Sequence, residues 1–276
     1  MRSFGSALVL LAVVTLGCDL GGDHTIKHKD KQRRNYTRGL PLRIETTNGA
    51  VKVHGLQNSQ AITILHEKDV TAPKFTAAES LRDRSKLEYR PQKHVVLLRV
   101  VDPSLGPGES IEHHIDVTVP ENVPLTITQA NGPLAADRLA AGMDLSTTNG
   151  AITVDEVKGA VRARVSNGRV EVTGLDGSVD IEVGNGKISV DARVLRCPAS
   201  GCHARTTNGA IRFALPETSR VALSAQTTNG TVHSELPLQG GQAGPTSLTG
   251  MLGGGGPDLT LNATNGTIQV LKRYIK

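Results

Sequence analysis

The 276-residue chain is poor in aromatic side chains, with no Trp, three Tyr and three Phe. Proteins that hold sugars or single-stranded nucleic acid usually stack the rings of their ligand on aromatic side chains. The composition therefore argues against a stacking platform. We expect no nucleic-acid partner. The composition also gives little support for a wide, aromatic-lined β-helix of the kind that cleaves polysaccharides.

Other chemical signatures are missing as well. No Gly-rich phosphate loop precedes a helix, and the turns lack the Asp of calcium-binding repeats. The adjacent His113 and His114 would point to opposite faces of a strand, so they are poorly placed to share a metal. We therefore predict no catalytic residue, no metal and no cofactor, and a protein that is not an enzyme.

One short phrase, Thr-Thr-Asn-Gly or a variant, recurs along the chain. From Asn131 to Asn185 the asparagines are spaced by 18, 18 and 18 residues, and the later steps are 23, 21 and 36. The asparagines are Asn48, Asn131, Asn149, Asn167, Asn185, Asn208, Asn229 and Asn265. A fixed short period of this kind indicates stacked structural units.

The segment from Val161 to Val183 shows what one unit builds. Apolar and polar residues alternate before and after Asn167-Gly168, which predicts strands with one buried face. Asn-Gly is typical of tight turns, because both residues tolerate positive φ. We predict an all-β fold, a single β-solenoid of 18-residue coils around a thin core, with a less regular N-terminal cap that contains one short helix.

The alternation suggests that the repeated asparagines also turn inward. Stacked coils would then align them in a ladder whose side-chain amides bond to one another and to turn backbone. The predicted ladder comprises Asn48, Asn149, Asn167, Asn185, Asn208, Asn229 and Asn265. We interpret this row as structural rather than as a ligand-binding stripe.

The N-terminus has the features of a targeting signal. Met1-Arg2 is basic, and the apolar stretch from Ala7 to Leu16 is too short to span a bilayer as a helix. It ends at Gly17-Cys18, which resembles a bacterial lipobox with Thr15 in place of the usual Leu. We predict a lipoprotein signal peptide over residues 1–17 and lipidation of Cys18; the alternative is a plain secretory leader.

The remaining chain divides into three regions. Residues 18–39 are rich in Lys and Arg without apolar periodicity, which predicts a lipid-anchored, solvated tether that could also contact anionic head groups. Residues 40–123 are predicted to form strands and the solenoid cap, with a helix near residues 76–90. Residues 124–276 are predicted to form the regular solenoid, with a Gly-rich surface loop at 236–257.

Two cysteines remain after Cys18. An oxidising compartment favours a disulfide between Cys197 and Cys202, which would close a small loop. The run Cys197 to His203 is also a spaced variant of a haem-attachment signature, and a zinc site is a further alternative. We favour the disulfide, because a narrow coil offers no room for haem.

The strand from Ile115 to Pro120 and the Asn-Gly coils that follow it resemble a bacterial family of adhesin-like domains of unknown function. The resemblance covers about residues 40–271, and it implies a β-solenoid exposed in the cell envelope. The family has no established catalytic residues, so none is carried over.

The sequence therefore favours a lipid-anchored envelope protein, at the outer membrane or the periplasmic face of a membrane, that displays its solenoid to an envelope polymer or protein. The candidate contacts form a basic set on neighbouring coils, comprising Arg162, Arg164, Arg169 and Lys187. The alternatives are an enzyme acting on envelope polysaccharide and an accessory protein of envelope-stress signalling. The oligomeric state is left open.

Overall fold

A computed structural model describes residues 13–18 and 23–273, with side chains described from residue 23 onward. This part of the chain contains 22 strands and one helix, in two compact units that divide after Gly132. Within it, no helix has the length and apolar character needed to cross a membrane.

The first unit contains the helix and eight strands. Their bounds are β1 Val13–Cys18, β2 His24–Asn35, β3 Leu42–Leu56, β4 Ala61–Ala72, α1 Phe75–Arg84, β5 Lys86–Pro91, β6 Val96–Val101, β7 Ser110–Pro120 and β8 Leu125–Asn131.

The second unit contains fourteen strands among its described residues. Their bounds are β9 Leu134–Asp137, β10 Met143–Asn149, β11 Ile152–Asp155, β12 Lys158–Asn167, β13 Val170–Asn185, β14 Ile188–Leu195, β15 Cys202–Asn208, β16 Ile211–Leu215, β17 Val221–Asn229, β18 Val232–Ser234, β19 Gln239–Ala243, β20 Ser247–Leu252, β21 Asp258–Asn265 and β22 Ile268–Lys272.

Parallel pairing arranges most strands of the second unit in two sheets. The sheet that ends at the asparagines, which we call the ladder sheet, has the order β10, β12, β13, β15, β21, β17. The sheet that follows the Asn-Gly corners, which we call the second sheet, has the order β9, β11, β13, β14, β16, β22, β18. Strand β13 is long enough to run through both. The predicted β-solenoid is confirmed.

The core lies between the two sheets and is filled by one small apolar residue per coil at each level. In the second sheet Ile152, Val170, Ile188, Ile211 and Ile268 stand in one register column, and each is at most 1% exposed. Burying a side chain of this size contributes about 1.5–3 kcal/mol. The alternation of apolar and polar residues in the sequence therefore places one buried side chain of each coil in a continuous apolar column.

The order of coils in space differs from their order in sequence. Strand β21, near the end of the chain, lies between β15 and β17 and is parallel to both. Strand β22 likewise lies between β16 and β18. The last coil is thus held on two sides rather than left as a terminal edge.

The prediction of a Gly-rich loop at 236–257 is wrong, because this segment contains a β-hairpin. Strands β19 and β20 pair with each other, and β20 pairs antiparallel with β17. Leu248 and Leu252 alternate toward the interior of the sheet and are buried. The many glycines made this alternation hard to recognise in the sequence. The hairpin covers the edge of β17, which would otherwise be open to pairing with another chain.

In the first unit, β3 is itself a solenoid coil. Its first half lies between β6 and β8, and its second half is parallel to β7. Antiparallel strands β4, β2 and β1 then extend the sheet from β7. Helix α1 packs on β2 and β4 through Ala78 and Leu81. The helix is shorter than the predicted one, and β5 follows it.

The prediction of a solvated tether over residues 18–39 is wrong for residues 24–35, which form β2. All twelve residues of β2 pair with β4, and Ile26 is fully buried. The Lys27 ammonium lies 2.7 Å from the Asp69 carboxylate, and Lys29 forms an ion pair with Glu67. Acidic residues of β4 therefore pair with two of the basic side chains of β2, which sequence composition alone did not reveal.

The Asn-Gly corners require glycine for a steric reason. Gly168 has φ 148°, and a Cβ at this position would overlap the carbonyl oxygen of Gly150 in the neighbouring coil. The same overlap recurs at Gly186 and Gly209, each with the glycine of the coil before it. Backbone therefore touches backbone at every corner of this series.

We predict that Gly168→Ala lowers the free energy of unfolding by about 3 kcal/mol, because the methyl group must push two coils apart. Chemical denaturation of purified protein measures the change. Gly142→Ala is the matched control: its Cβ would meet only the Ala160 carbonyl oxygen, at 3.7 Å. Equal stability of the two variants would show that the corners do not set the spacing of the coils.

Candidate functional site

The repeated asparagines form ladders of hydrogen bonds between coils. In the first unit, Asn131 Nδ2 donates to Asn48 Oδ1 at 2.8 Å. In the second unit the rungs are 2.7–3.0 Å long and all run in one direction, with each side-chain amide donating to the Oδ1 of the asparagine before it in the stack. The order there is Asn149, Asn167, Asn185, Asn208, Asn265 and Asn229. Aligned amides of this kind polarise and strengthen one another.

The prediction that these asparagines turn inward is wrong, because the six in the second unit are exposed. The strand alternation ends two residues earlier, at Thr147, Thr206 and Thr227, which are the buried polar residues of the corner. The Thr206 and Thr227 hydroxyls donate to the Gly186 and Gly266 carbonyls. The chain bends at Asn, so period two no longer places its side chain.

A shallow polar groove of about 480 Å³ lies on the outer face of the ladder sheet. It crosses β13, β15, β21 and β17, whose register places their outward side chains side by side. The outward residues that line it are Glu182, Arg205, Thr207, Gln226, Thr228, Asn262 and Thr264. Most are neutral hydrogen-bonding groups on rigid strands, and we call this site the ladder groove.

Beside the groove the same face carries alternating charge. Arg162 on β12 lies 3.1 Å from the Asp180 carboxylate, and Arg164 lies 3.5 Å from that of Asp144. All four side chains are about half exposed, so each pair contributes little to stability. Two of the four predicted basic contacts are therefore already engaged with acidic neighbours.

The other two predicted contacts lie beyond the corner. Arg169 and Lys187 precede Val170 and Ile188 in adjacent coils, and the Val170 amide donates to the Lys187 carbonyl oxygen. They are exposed neighbours at the start of the second sheet. The structure thus gives two basic pairs, one on each side of the asparagine ladder, instead of one patch.

The predicted disulfide is confirmed. Cys197 and Cys202 are bonded, with their Cα atoms 5.2 Å apart, and Cys202 is fully buried in β15. The five-residue separation makes this a local staple at the start of β15. Cys18 ends β1, and its side chain lies outside the described residues, so its lipidation stays a prediction.

The first unit contains a buried polar cluster that the sequence did not predict. The His66 and His113 rings stack, with His66 Nε2 2.9 Å from His113 Nδ1. His113 Nε2 donates to the Asp102 carboxylate at 3.0 Å, which also accepts from the Ser85 hydroxyl at 2.6 Å. The Lys68 ammonium donates to the Ser85 carbonyl. We call these five residues the histidine cluster.

The histidine cluster has shifted titration properties. Burial, together with neighbouring His113, lowers the pKa of His66 to about 3. Burial also lowers the pKa of Lys68. Burial alone would raise the pKa of Asp102, but hydrogen bonds from His113 and Ser85 outweigh it and lower that pKa. His113 is buried and His114 is exposed, as the strand alternation predicts.

The only sequence signal for this cluster is spacing. His66 and Lys68 are two residues apart on β4, and they face inward at positions where apolar residues are expected. Their partners come from β7, from the turn after β6 and from the end of α1, so no local motif joins them. Within the described residues, no group of three or more metal-binding side chains is assembled.

The architecture defines the class of protein: a thin, two-sheet β-solenoid with asparagine corners and an exposed polar face. The family model described as Toastrack DUF4097 matches residues 36–271, so the chain belongs to this family. The family resemblance expected from the repeats is confirmed. No curated protein matches the chain.

Three solved structures illustrate the similarity of the chain to known folds. A "putative cell adhesion protein" from Clostridium sporogenes has 12% identity and a TM-score of 0.39, covering 89% of this chain and 100% of that one. A "putative adhesin" from Parabacteroides merdae has 10% identity and a TM-score of 0.34, covering 89% and 96%. A "putative lipid binding protein" from Parabacteroides distasonis has 9% identity and a TM-score of 0.29, covering 89% and 97%.

The histidine cluster predicts an acid-sensitive fold. The folded-state pKa of His66 lies below its ordinary value of 6.5, so between pH 6.5 and about 3 the unfolded chain binds a proton that the folded chain does not. Stability should therefore fall as pH drops through this window and be unaffected by His66 above it. His66→Gln should flatten the pH dependence of the unfolding free energy.

Denaturant unfolding of wild type and variant across this pH range measures the slope. His114→Gln removes an exposed histidine next to the cluster and serves as the control, with an expected wild-type slope. Parallel curves for wild type and His66→Gln would contradict the assignment, whatever the absolute stability of the variant.

Proposed function

We propose that this chain is a non-catalytic recognition module of the bacterial cell envelope. It is held at a membrane by a lipid on Cys18, and it binds a polar envelope polymer through the ladder groove. The observation that carries the proposal is the row of hydroxyl and amide side chains that four rigid strands present in the groove.

The groove chemistry favours a ligand rich in hydroxyl and amide groups. Gln226 and Asn262 stand opposite each other on β17 and β21, and the Thr228 and Thr264 hydroxyls lie in the next outward row. Strands fix these groups before the ligand arrives, which reduces the entropic cost of binding. A surface polysaccharide or a glycan-like polymer offers matching donors and acceptors along an extended chain.

The same groove gives little support for catalysis. Glu182 is the one carboxylate among its lining residues, whereas glycoside hydrolysis ordinarily uses two carboxylates flanking the bond. The histidine cluster does contain acid and base groups, but His66, His113 and Ser85 are at most 4% exposed. Recognition without turnover is the function that these two observations support.

The charged residues beside the groove would assist in orienting a partner. Arg205 lies in the groove on β15, and Arg162 and Arg164 lie on β12, which β13 separates from β15. Asp144 on β10 and Asp180 on β13 stand on either side of Arg162. A strip of alternating charges has little net charge, so it would align a bound partner along the strands more than attract it from a distance. Arg169 and Lys187, across the corner, remain proposed contacts for a partner large enough to reach over the ladder.

The membrane anchor is the second part of the proposal. Cys18 is followed within six positions by His24, where β2 begins. A lipid there would leave a short connection and bring the β2 lysines near the head groups, each worth about 1 kcal/mol at an anionic surface. Replacing Cys18 with Ala in the full chain should move it from membrane to soluble fractions; retention on membranes would exclude lipid at Cys18.

Binding to immobilised envelope polysaccharide tests the groove directly. Gln226→Leu should weaken binding about ten-fold, because it removes hydrogen bonds and leaves polar ligand groups unpaired. Gln269→Leu is the matched control, since Gln269 is equally exposed but lies on β22 in the second sheet.

The expected result is weakened binding for Gln226→Leu and wild-type binding for Gln269→Leu. Wild-type binding by both variants, or no binding by the wild-type chain, would overturn the groove as the recognition site. Thermal unfolding of both variants confirms that they are folded before the comparison is made.

A further inference from the structure

The Asn229 end of the asparagine ladder differs from its interior in the environment of the glycine nitrogen that follows each asparagine. Each of Asn149, Asn167, Asn185, Asn208, Asn265 and Asn229 precedes a glycine, and Asn-Gly is the dipeptide most prone to spontaneous deamidation. The reaction needs the glycine nitrogen to attack the asparagine side chain. What happens to that nitrogen in each coil therefore decides which site reacts.

In the interior of the ladder the glycine nitrogen is held by the next coil. The Gly150, Gly168 and Gly186 amides donate to the backbone carbonyls of Asn167, Asn185 and Asn208 at 2.7–3.0 Å. The Gly209 and Gly266 amides do the same to Asn265 and Asn229, at 2.8 and 2.9 Å. All five glycines are half-buried.

Gly230 is the exception, because Asn229 is the last rung. Among the described residues the Gly230 amide donates no backbone hydrogen bond to a neighbouring coil, and both Asn229 and Gly230 are exposed. The hairpin that covers β17 bonds on either side of this corner: Thr227 donates to the Thr246 carbonyl and Val232 to the Pro245 carbonyl. It skips Gly230 between them.

The Asn229 side chain is also held less firmly than the others. Its Nδ2 donates to Asn265 Oδ1 at 2.8 Å, whereas an interior asparagine such as Asn185 both donates to one neighbour and accepts from another. One hydrogen bond, worth about 1 kcal/mol, must break before the side chain can turn toward the Gly230 nitrogen. An interior site must break three: two rungs and the glycine amide bond.

We infer that Asn229-Gly230 is a self-modification site, at which the folded protein undergoes deamidation while its interior Asn-Gly corners are protected. The Gly230 nitrogen forms a bond to Asn229 Cγ, and its proton passes through water to Nδ2 as the Cγ–Nδ2 bond breaks and ammonia leaves. Water then opens the succinimide ring at either carbonyl, giving aspartate or isoaspartate. The only co-reactant is water, and no electrons are transferred.

The product changes the end of the ladder. A carboxylate replaces the amide that donated to Asn265, and it lies next to Thr228, which lines the ladder groove. The isoaspartate form also lengthens the backbone at the carbonyl that accepts the Gly266 amide. The inference does not rest on the proposed function, since it concerns the chemistry of the corner alone.

Peptide mapping by mass spectrometry tests the inference on the folded full chain, incubated in mildly alkaline buffer at physiological temperature. We expect the Asn229 peptide to convert at least about ten-fold faster than the mean of the five interior sites. In denaturant, where every corner is free, the six Asn-Gly sites of the second unit should convert at similar rates. Equal rates in the folded chain, or the same ranking in denaturant, would overturn the inference.

Two variants give an independent reading. Asn229→Gln keeps an amide but can no longer close a five-membered ring, so isoaspartate formed within residues 133–276 of the folded chain should drop to the level of the interior sites. Asn167→Gln, in the middle of the ladder, should leave isoaspartate formation at the wild-type rate. Unchanged isoaspartate in Asn229→Gln would show that the modified site lies elsewhere.

Discussion

The close contact of backbone with backbone at the Asn-Gly corners is the constraint on which the structure depends. A glycine at each corner lets one coil approach the next without a Cβ between them, and its amide bonds across the gap. That approach brings neighbouring asparagine amides within 3.0 Å, so the ladder forms as a consequence of the backbone spacing. The same spacing fixes the register of both sheets, and hence which side chains share a column inside and outside.

A stack built this way must solve the problem of its ends. In the second unit the solution has two parts: the final coil is inserted between β15 and β17, and a Gly-rich hairpin covers β17. Neither measure supplies the last corner with a partner coil, and within the described residues the Gly230 amide makes no backbone hydrogen bond. The polar groove lies across these same terminal strands, so recognition and chemical lability are neighbouring features of one end of the stack.

Sequence reading recovers what the repeat itself encodes and misses what depends on partners far along the chain. The period of 18 and the alternation around Asn167 are enough for the solenoid, and the Cys197–Cys202 pairing follows from compartment and spacing. The inward placement of the asparagines fails because the chain bends before period two can apply. The β2 strand and the histidine cluster were missed because Lys27 and His66 are explained only by Asp69 and His113, on other strands. The hairpin was not predicted because its many glycines leave only Leu248 and Leu252 to show the alternation of buried and exposed residues.

The most direct test of the account compares two rungs of the ladder by chemical denaturation. Asn185→Ala removes two rung hydrogen bonds in the interior, whereas Asn229→Ala removes one at the open end. The account predicts that both variants fold and that Asn185→Ala loses about twice as much unfolding free energy, roughly 2 against 1 kcal/mol. Equal losses of unfolding free energy in the two variants, or no loss in Asn185→Ala, would show that the amide ladder does not stabilise the stacking of the coils.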